Sequence, residues 1–297
     1  MKYNKTSGNI SMIQRYSTKD GPGIRSTVFF KGCHMNCIWC SNPELINPYP
    51  ELMEYKEKCR HCNDKNCIKE KSDKLSDIAT NKWSSTPDLC KNSVFEKVGG
   101  FIDADELLTE LLKDIVFYDT SGGGVTFSGG EPALQGDFIC KVAKKLKRQN
   151  IHLTLDTSGF VPWKNLEKIL PYFDLVLYDI KIFNRELHKK FTGVDNKLVL
   201  KNAEKISELN IPMDIRMVIV PEYTDSHKDI DMRFNFIKKL RSVKQVDILN
   251  FHQYGAKKYT CLNREYKLRH LTPLTEAEIE RIKNSAISHD IKITIGG

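Results

Sequence analysis

Short apolar segments alternate with longer amphipathic ones from Ile102 to the C-terminal end of the chain, and this alternation limits the possible folds more than any other feature. The short segments are rich in β-branched and aliphatic residues, as buried strands are. The longer ones repeat apolar residues at the spacing of a helix. Repeated strand–helix units build a parallel sheet covered by helices. The sequence therefore predicts an α/β fold, and we expect a complete or partial barrel.

One long segment interrupts this pattern. The apolar runs predict strands at residues 25–31, 124–128, 151–155, 174–180, 213–220, 246–251 and 290–295. Between the first two, residues 43–98 are polar, show no strong period and hold four of the nine cysteines. A loop of that length without structure of its own is rare in a compact domain, so something other than an apolar core should hold it together. We therefore divide the chain into a barrel of residues 1–42 and 99–297 and a cysteine-containing insert of residues 43–98.

The composition indicates a soluble globular protein, which we expect in the cytoplasm. Hydrophobic residues make up 40% of the 297 residues, but no run approaches the roughly 18 apolar residues of a membrane span. The N-terminus lacks the apolar core of a signal peptide. A net charge of +8 on a chain of this length is typical of a solvated surface, and we expect no nucleic-acid partner. A basic segment near the C-terminus could meet an acidic partner: Lys257, Lys258, Arg264, Lys267 and Arg269.

Three cysteines stand close together in KGCHMNCIWCSN, directly after the first predicted strand: Cys33, Cys37 and Cys40. An odd number of cysteines in a reducing compartment points to metal ligands or catalytic thiols rather than disulfides. Three thiolates on one loop can bind three irons of a cubane cluster and leave the fourth iron open, whereas a structural metal site normally has four protein ligands. From the triplet alone, a zinc loop completed by His34 and three unrelated thiols are the alternatives.

This triplet resembles the signature of the radical S-adenosylmethionine (SAM) superfamily. The stretch YSTKDGPGIRSTVFFKGCHMNCIWCSNPE is similar to the opening of the glycyl-radical enzyme activating enzymes, a group that includes pyruvate formate-lyase activating enzyme. Further matches are TFSGGEP, LDTSG, LYDIK, FTGV, IRMVIVPEYTD and FHQYGAKKY. The resemblance covers most of the chain outside the insert. It implies a partial (β/α)6 TIM-type barrel with a small ferredoxin-like or degenerate insert.

The same resemblance implies an oxidoreductase that acts on another protein. In such enzymes a reduced [4Fe-4S] cluster cleaves SAM to a 5′-deoxyadenosyl radical, which removes the Cα hydrogen of one glycine in a partner of the formate acetyltransferase or diol dehydratase type. Reduced flavodoxin or ferredoxin would supply the electron, and we expect a monomer. A radical SAM enzyme acting on a small molecule or RNA is one alternative, against which DGPGIR and FHQYG argue. A non-catalytic iron–sulfur electron carrier is the other, and it would need neither GGE nor LDTSG.

By resemblance, the cofactor-binding residues follow successive strands. Those implied to bind SAM are Trp39, Gly129, Gly130, Glu131, Asp156, Thr157, Asp179, Lys181, Arg216 and His252. Asp156 and Thr157 would also lie near a monovalent cation, although a helix-capping turn is the ordinary role of such a pair. Asp179 and Lys181 alternate on one strand and so face the same side, where a buried salt bridge is the alternative. Asp20 is implied to meet the backbone of the partner's glycyl loop, and we class Asp20 and Lys181 as catalytic.

The insert holds a second set of cysteines: Cys59, Cys62, Cys67 and Cys90. Many longer activating enzymes carry a ferredoxin-like insert here with eight cysteines for two clusters, the last of each set often followed by proline. This chain has four at irregular spacing, and Lys91 follows Cys90. We expect one auxiliary [4Fe-4S] cluster, with zinc or no metal as alternatives and His61 able to replace one cysteine. Its role would be electron relay or partner docking. No function is assigned to Cys140 or Cys261.

Overall fold

The structure, a computed structural model, describes residues 6–61, 83, 90 and 92–296. Its strands are β1 (Ser7–Ser17), β2 (Arg25–Phe30), β3 (Glu51–Glu54), β4 (Phe95–Val98), β5 (Gly100–Asp103), β6 (Gly124–Gly129), β7 (His152–Thr157), β8 (Leu175–Asp179), β9 (Met213–Ile219), β10 (Val243–Asn250) and β11 (Ile293–Ile295). Its α-helices are α1 (Ala104–Leu112), α2 (Ile115–Ser121), α3 (Gly136–Lys147), α4 (Trp163–Ile169), α5 (Arg185–Thr192), α6 (Lys197–Glu208), α7 (His227–Ile237), α8 (Ala256–Cys261) and α9 (Glu276–Ser288).

One large sheet has the order β11-β10-β9-β8-β7-β6-β2-β1-β5, and the strands from β2 to β11 in this order pair in parallel. Each of the seven predicted strands is present, so the α/β prediction is confirmed. Within the described residues the two end strands, β5 and β11, do not pair with each other. The sheet is therefore open, as in a partial TIM-type barrel.

The outer face of the sheet is apolar and packs on the connecting helices. Phe30 of β2 lies 5.7 Å from Phe127 of β6 and 6.3 Å from Phe138 of α3, measured between ring centroids. All three side chains are fully buried. Alternate residues on the same strands face inward, and Ser128 of β6 reaches Asp156 of β7. This alternation separates an apolar outer core from a polar inner face.

Two antiparallel additions were not predicted. β1 pairs with β2, and β5 pairs with β1, which extends the sheet beyond its parallel part. β1 has no continuous apolar run because one of its faces is exposed, and Met12 on that face keeps 45% of its surface accessible. At the two ends of the predicted insert, β3 and β4 form a separate antiparallel ribbon. The division of the chain into barrel and insert stays a prediction.

The parallel strands bring the candidate residues to one edge. β6 ends at Gly129, β7 at Thr157 and β8 at Asp179. Because the carboxyl ends of parallel strands meet at the same edge, the loops that follow them lie together. Among the described residues, no helix has both the length and the apolar composition to cross a membrane.

Candidate active site

A cavity of about 800 Å³ opens at the carboxyl edge of the parallel strands. Most of the predicted site residues line it: Cys33, Cys37, Cys40, Trp39, Gly129, Gly130, Asp156, Asp179, Lys181, Arg216 and His252. Of the residues predicted to meet SAM or the partner, three do not appear in its wall, namely Asp20, Glu131 and Thr157. The sequence motifs therefore converge in space, although they are spread over more than two thirds of the chain.

The loop that carries the cysteine triplet is fixed by backbone hydrogen bonds on two sides. On one side the amide of Cys33 donates to the carbonyl of Ile46, at 3.0 Å. On the other, the amides of Asn36 and Ile38 donate to the carbonyls of Thr192 and Phe191, at 2.8 and 3.1 Å. Phe191 and Thr192 belong to the FTGV motif, whose role the sequence did not reveal. That motif holds the cysteine loop through the main chain.

Burial raises the pKa of all three thiols, that of Cys37 to about 12. A thiolate in such surroundings is stable only beside positive charge, which a metal centre supplies. His34, the proposed fourth zinc ligand, is exposed and does not line the cavity. Within the described ranges no three His, Cys, Asp or Glu side chains converge on a single-ion site. Three sulfur donors on one loop, with His34 turned away, fit the attachment of a [4Fe-4S] cluster.

The glycine pair after β6 allows the backbone to pass directly under this loop. A Cβ at Gly130 would lie 2.4 Å from the carbonyl oxygen of Gly32 and 2.7 Å from that of Leu45. Both obstacles are main-chain atoms, so a side chain at this position would displace the loop. Gly129 has a φ of +116°, which only glycine adopts readily. The SGGE motif is thus required for close packing against the cysteine loop.

Two cations and two carboxylates face the cavity. Lys181 Nζ lies 2.7 Å from Asp179 Oδ2. Burial alone would lower the pKa of Lys181, but Asp179 and the neighbouring Cys37 raise it overall, so the ammonium stays protonated. Arg216 Nη1 lies 3.2 Å from Asp156 Oδ2, and Asp156 also accepts a hydrogen bond from Ser128. The Asp179–Lys181 salt bridge, named above as the alternative, is therefore present in the cavity wall, and direct contact of the two residues with SAM stays a prediction.

Arg216 also reaches the opposite wall of the site. Its Nη2 donates to the carbonyl of Lys19 at 2.7 Å and lies 3.4 Å from Asp20 Oδ1. Its Nε is buried and has no hydrogen-bond partner within the part of the chain that the structure describes. An unpartnered guanidinium N–H at the wall of a cavity is available to a polar ligand. This orphaned donor supports the fit of a cofactor such as SAM.

Glu131 and Thr157 contact each other instead of the cavity. Thr157 Oγ1 donates to Glu131 Oε1 at 2.7 Å, and the amide and hydroxyl of Ser158 donate to Glu131 Oε2 at 3.0 and 2.6 Å. Burial raises the pKa of Glu131, although these hydrogen bonds oppose the shift. The carboxyl group thus joins the end of β6 to the end of β7. Direct contact of these two side chains with SAM stays a prediction.

Asp20 lies on the loop between β1 and β2, at the rim of the cavity. Its carboxylate accepts a hydrogen bond from Thr27 Oγ1 at 2.8 Å, in addition to the contact with Arg216. Arg25 ties this loop to β6, because it donates to the carbonyl of Pro22 in the loop at 2.9 Å and to that of Val125 in β6 at 2.8 Å. Burial lowers the pKa of Arg25 to about 10. Both anchors fix the position of Asp20 relative to β6.

An aromatic residue that was not predicted, Tyr254, lies at the cavity mouth. The ring of His252 stacks on Tyr254, with centroids 4.2 Å apart and planes inclined by 27°. Tyr254 lines the cavity and is 83% exposed. Burial lowers the pKa of His252, which favours the neutral ring. The sequence signal that could have identified Tyr254 is its place in the FHQYG motif, two residues after His252.

The remaining cysteines lie in different surroundings. Cys59 and Cys90 are partly exposed, whereas Cys62 and Cys67 lie outside the described residues. A metal site in the insert therefore stays a prediction. Cys261 is buried against Met53 and Val98 of the ribbon, and Cys140 Sγ lies 3.4 Å from the carbonyl of Lys168. Both are packed against neighbouring elements.

Comparisons with known proteins agree with this geometry. The family model "Radical SAM superfamily" matches residues 27–234. The chain is 36% identical to the trans-4-hydroxy-L-proline dehydratase activating enzyme of Clostridioides difficile, over 96% of this chain and 98% of that protein. It is 34% identical to the (2S)-3-sulfopropanediol dehydratase activating enzyme of Klebsiella oxytoca, over 89% and 88%. It is 30% identical to the pyruvate formate-lyase 2-activating enzyme of Escherichia coli K12, over 96% and 91%.

Two solved structures show the same fold. A domain of a pyruvate-formate lyase-activating enzyme from Bacteroides vulgatus superposes with a TM-score of 0.51 at 26% identity, covering 59% of this chain and all of that one. A radical SAM methyltransferase from Sphaerobacter thermophilus, at 12% identity, gives 0.56 over 96% of this chain and 76% of that one. At 12% identity, the second shows the fold alone. This chain belongs to the radical SAM superfamily and, within it, to the activating enzymes of glycyl-radical enzymes.

Proposed function

We propose that this protein activates a glycyl-radical enzyme of the dehydratase or lyase class. The observation that carries the proposal is the cavity itself, where three thiols, the Asp179–Lys181 pair and Arg216 meet at one strand edge. Its relatives include activating enzymes of two dehydratases and of a pyruvate formate-lyase. Family membership implies a [4Fe-4S] cluster and SAM as cofactors, and Cys33, Cys37 and Cys40 would hold the cluster.

When both cofactors are bound, they supply the 5′-deoxyadenosyl radical that takes the Cα hydrogen of the partner's glycine. This chain's residues hold and shield the reactants. Lys181, protonated beside Cys37, offsets the negative charge of the thiolates and of a carboxylate ligand. The buried Nε of Arg216 would donate to the cofactor, while ion pairs with Asp156 and Asp20 fix the plane of the guanidinium group. The main chain of Gly129 and Gly130 provides carbonyls for an ammonium group.

Apolar side chains exclude water from the reacting end of the cavity. Met35, Trp39 and Phe251 line it, and each is almost completely buried. A radical in this space is protected from stray hydrogen donors only if the walls remain dry. Trp39 would also lie over the adenine ring. The open mouth beside Tyr254 leaves room for a peptide segment of the partner.

Asp20 would receive the partner's glycyl loop. A carboxylate at the rim can accept backbone N–H groups of an extended peptide, and charge-assisted bonds of this kind are strong. Because Arg216 contacts both Asp20 and Asp156, a single guanidinium links the peptide side of the site to the cofactor side. A peptide that docks correctly would therefore meet a cofactor already aligned with it.

We extend the proposal to the parts of the system outside this cavity. The insert cysteines would hold one auxiliary [4Fe-4S] cluster, and Asp156 with Thr157 would lie near a monovalent cation. Reduced flavodoxin or ferredoxin would donate the electron. We propose a cytoplasmic monomer, which agrees with the reducing compartment that nine cysteines in these motifs favour.

Anaerobic reconstitution with iron and sulfide tests the proposal. We expect a reduced protein whose EPR signal changes when SAM is added, together with release of 5′-deoxyadenosine. Mixing with purified glycyl-radical enzymes of the dehydratase, lyase and decarboxylase classes should produce the glycyl-radical EPR signal with a dehydratase or a lyase. Lys181→Met should abolish SAM cleavage, whereas Lys168→Met, at an exposed surface pair, should not.

Two results would contradict the proposal at different levels. A reconstituted protein without a SAM-sensitive signal would contradict the radical chemistry and favour an electron carrier. A SAM-sensitive protein that forms a glycyl radical on none of the three partner classes would favour a small-molecule or RNA substrate.

A further inference from the structure

Lys258 of α8 reaches the chain segment that directly follows the cysteine triplet. Its Nζ donates to Asn42 Oδ1 at 2.7 Å and to Glu44 Oε1 at 2.6 Å. Asn42 lies two residues after Cys40 and lines the cavity. Lys258 belongs to the basic segment that could meet an acidic partner, but its ammonium contacts this chain's own Asn42 and Glu44. One lysine from the C-terminal part of the chain thus contacts the loop that presents Cys40.

The ion pair with Glu44 is largely removed from water. The side chain of Glu44 is 8% exposed and that of Lys258 is 35% exposed. Glu44 Oε2 is buried and has no hydrogen-bond partner within the described residues. The side-chain cation that contacts this carboxylate is Lys258, since Lys31 instead donates to the Glu44 main-chain carbonyl. Removing one partner of such a pair leaves an uncompensated buried charge beside the loop.

The same face of α8 is packed closely on the triplet loop. A Cβ at Gly255 would lie 3.0 Å from Ser41 Cα and 3.1 Å from the carbonyl oxygen of Cys40. Lys258 follows Gly255 by three residues, so both lie on one side of the helix. Arg264, beyond α8, donates to the carbonyl of Pro43 at 2.8 Å and pairs with Glu51 at 2.5 Å. The segment after Cys40 is therefore held to α8 by contact, charge and hydrogen bonding together.

We propose that Lys258 is a positioning residue of the active site: it neutralises Glu44 and holds Asn42, and so keeps Cys40 in place before a cluster binds. The inference rests on the proposed function of the triplet as the cluster ligand.

The neighbouring lysine provides a matched control. Lys257 points to the other side of α8, where its Nζ lies 2.7 Å from Glu57 and both side chains are exposed, at 66% and 55%. Lys257→Met and Lys258→Met remove the same charge from adjacent positions of one helix. A difference between them therefore reports the contact with the loop rather than the net charge of the protein.

The first measurement uses the cluster-free protein, so it does not depend on catalysis. Iodoacetamide labelling of Cys40 is followed by peptide mass spectrometry, with Cys140 as the internal reference. We expect Lys258→Met to label Cys40 at least about tenfold faster than the wild type, while Lys257→Met and the rate at Cys140 stay unchanged. Lys258→Arg, which keeps the charge, should restore most of the protection.

The second measurement uses the reconstituted protein. Lys258→Met should bind less iron per chain, and its cluster should have a more negative midpoint potential, because a positive charge is lost next to the segment that follows Cys40. Lys257→Met should keep the wild-type potential. If Lys258→Met does not fold, as judged by circular dichroism, Asn42→Ala is the second variant, and it should also label Cys40 faster.

Equal Cys40 labelling in folded Lys257→Met and Lys258→Met proteins would overturn the inference. Wild-type labelling in Asn42→Ala would do so if Lys258→Met does not fold. Failure to build any SAM-sensitive cluster in the wild type would instead contradict the proposed function, and the labelling result would still report whether Lys258 holds the loop.

Discussion

The two groups of cysteines in this protein are held in different ways. The triplet loop donates hydrogen bonds to a distant part of the chain, since the amides of Asn36 and Ile38 donate to the carbonyls of Thr192 and Phe191. In the insert, the described bonds at the cysteines are local: the amide of Cys59 donates to the carbonyl of Lys56, and the carbonyl of Cys90 accepts from Ser93. The triplet loop is therefore held in place by the barrel, whereas the described insert cysteines are hydrogen-bonded only to residues close to them in sequence.

This difference predicts what a metal would contribute at the triplet and in the insert. Where the scaffold already presents the thiols, binding a cluster adds chemistry to a finished structure. Where the ligands come from a segment with mainly local bonds, metal binding also supplies folding free energy. We therefore expect the triplet to keep its arrangement without metal, and the insert to depend on it.

The largest effect should separate the two groups by function. Cys37→Ala removes a proposed ligand of the catalytic cluster, and we expect SAM cleavage to fall below about 0.1% of the wild-type rate. Cys59→Ala should lower the iron content by about four per chain but leave a SAM-sensitive EPR signal. Release of 5′-deoxyadenosine measures SAM cleavage, iron counting gives the iron content, and EPR of the two reduced variants shows whether the SAM-sensitive signal is present. Equal loss of the SAM-sensitive signal in both variants would erase the distinction.

Metal removal should produce the next largest effect. In chelated protein, exchange of the amides of Asn36 and Ile38 should stay close to that of the loaded protein because their acceptors, Thr192 and Phe191, belong to the barrel. The amides of Cys59 and Ser93 should exchange on the order of tenfold faster. Hydrogen exchange with peptide mass spectrometry compares the two regions in one sample. Faster exchange at the triplet than at the insert would reverse the comparison.

A glycine substitution tests how tightly the fold itself builds the first site. Gly130→Ala brings a methyl group against the carbonyls of Gly32 and Leu45, and we expect a loss of about 3 kcal/mol in the free energy of unfolding, with weaker iron retention. Gly136→Ala is the matched control. Its nearest neighbour is Ile169 Cγ2 at 3.4 Å, so it should be neutral or stabilise α3 by about 0.5 kcal/mol. Chemical denaturation measures both, and similar values would contradict the tight packing.

The smallest predicted effect concerns pH and a carboxylate deeper in the barrel. Asp214 shares the inner face of β9 with Arg216, but it has no ion-pair partner in the described part of the chain. Burial, together with repulsion from Asp247, raises its pKa to about 6. Because the folded pKa is raised, the stability it contributes is fully present below about pH 4 and is lost as pH rises through about 6.

Asp214→Asn should therefore raise the free energy of unfolding at pH 7 by about 1 kcal/mol, a value reduced by partial contact with water. At pH 4 it should have no such effect. Urea denaturation at the two pH values gives the difference. A gain of the same size at both would show that the charge of Asp214 is not its cause.

The parallel strands could be predicted because each is a local apolar run, as RSTVFF and DLVLYDI are. β1 could not, because its pairing with β2 leaves one face exposed and so removes the continuous run. The ribbon of β3 and β4 was missed for a related reason. It joins two short segments that are more than forty residues apart, and neither carries a strong pattern.

Within the site, the resemblance to the family named the candidate residues, but the structure decides which way their side chains face. Glu131 and Thr157 were placed with the cofactor, yet their side chains bond to each other. Lys258 was counted as a surface charge, yet it pairs with buried Glu44. Both outcomes depend on neighbours contributed by other strands or helices, and a single stretch of sequence does not contain that information.

The hydrogen bond from Arg264 to the carbonyl of Pro43 can form only late in synthesis of the chain. Arg264 leaves the ribosome about 220 residues after Cys40, which at typical rates is a delay of roughly 10 to 40 s. During the first two thirds of that interval the nascent triplet lacks both α8 and the FTGV segment, and for the remainder it still lacks α8. We expect its thiols to react readily with alkylating reagents in ribosome-bound chains that end before residue 190, and to become protected once the chain extends beyond residue 264. Metal loading would then be a late event, coupled to completion of the chain.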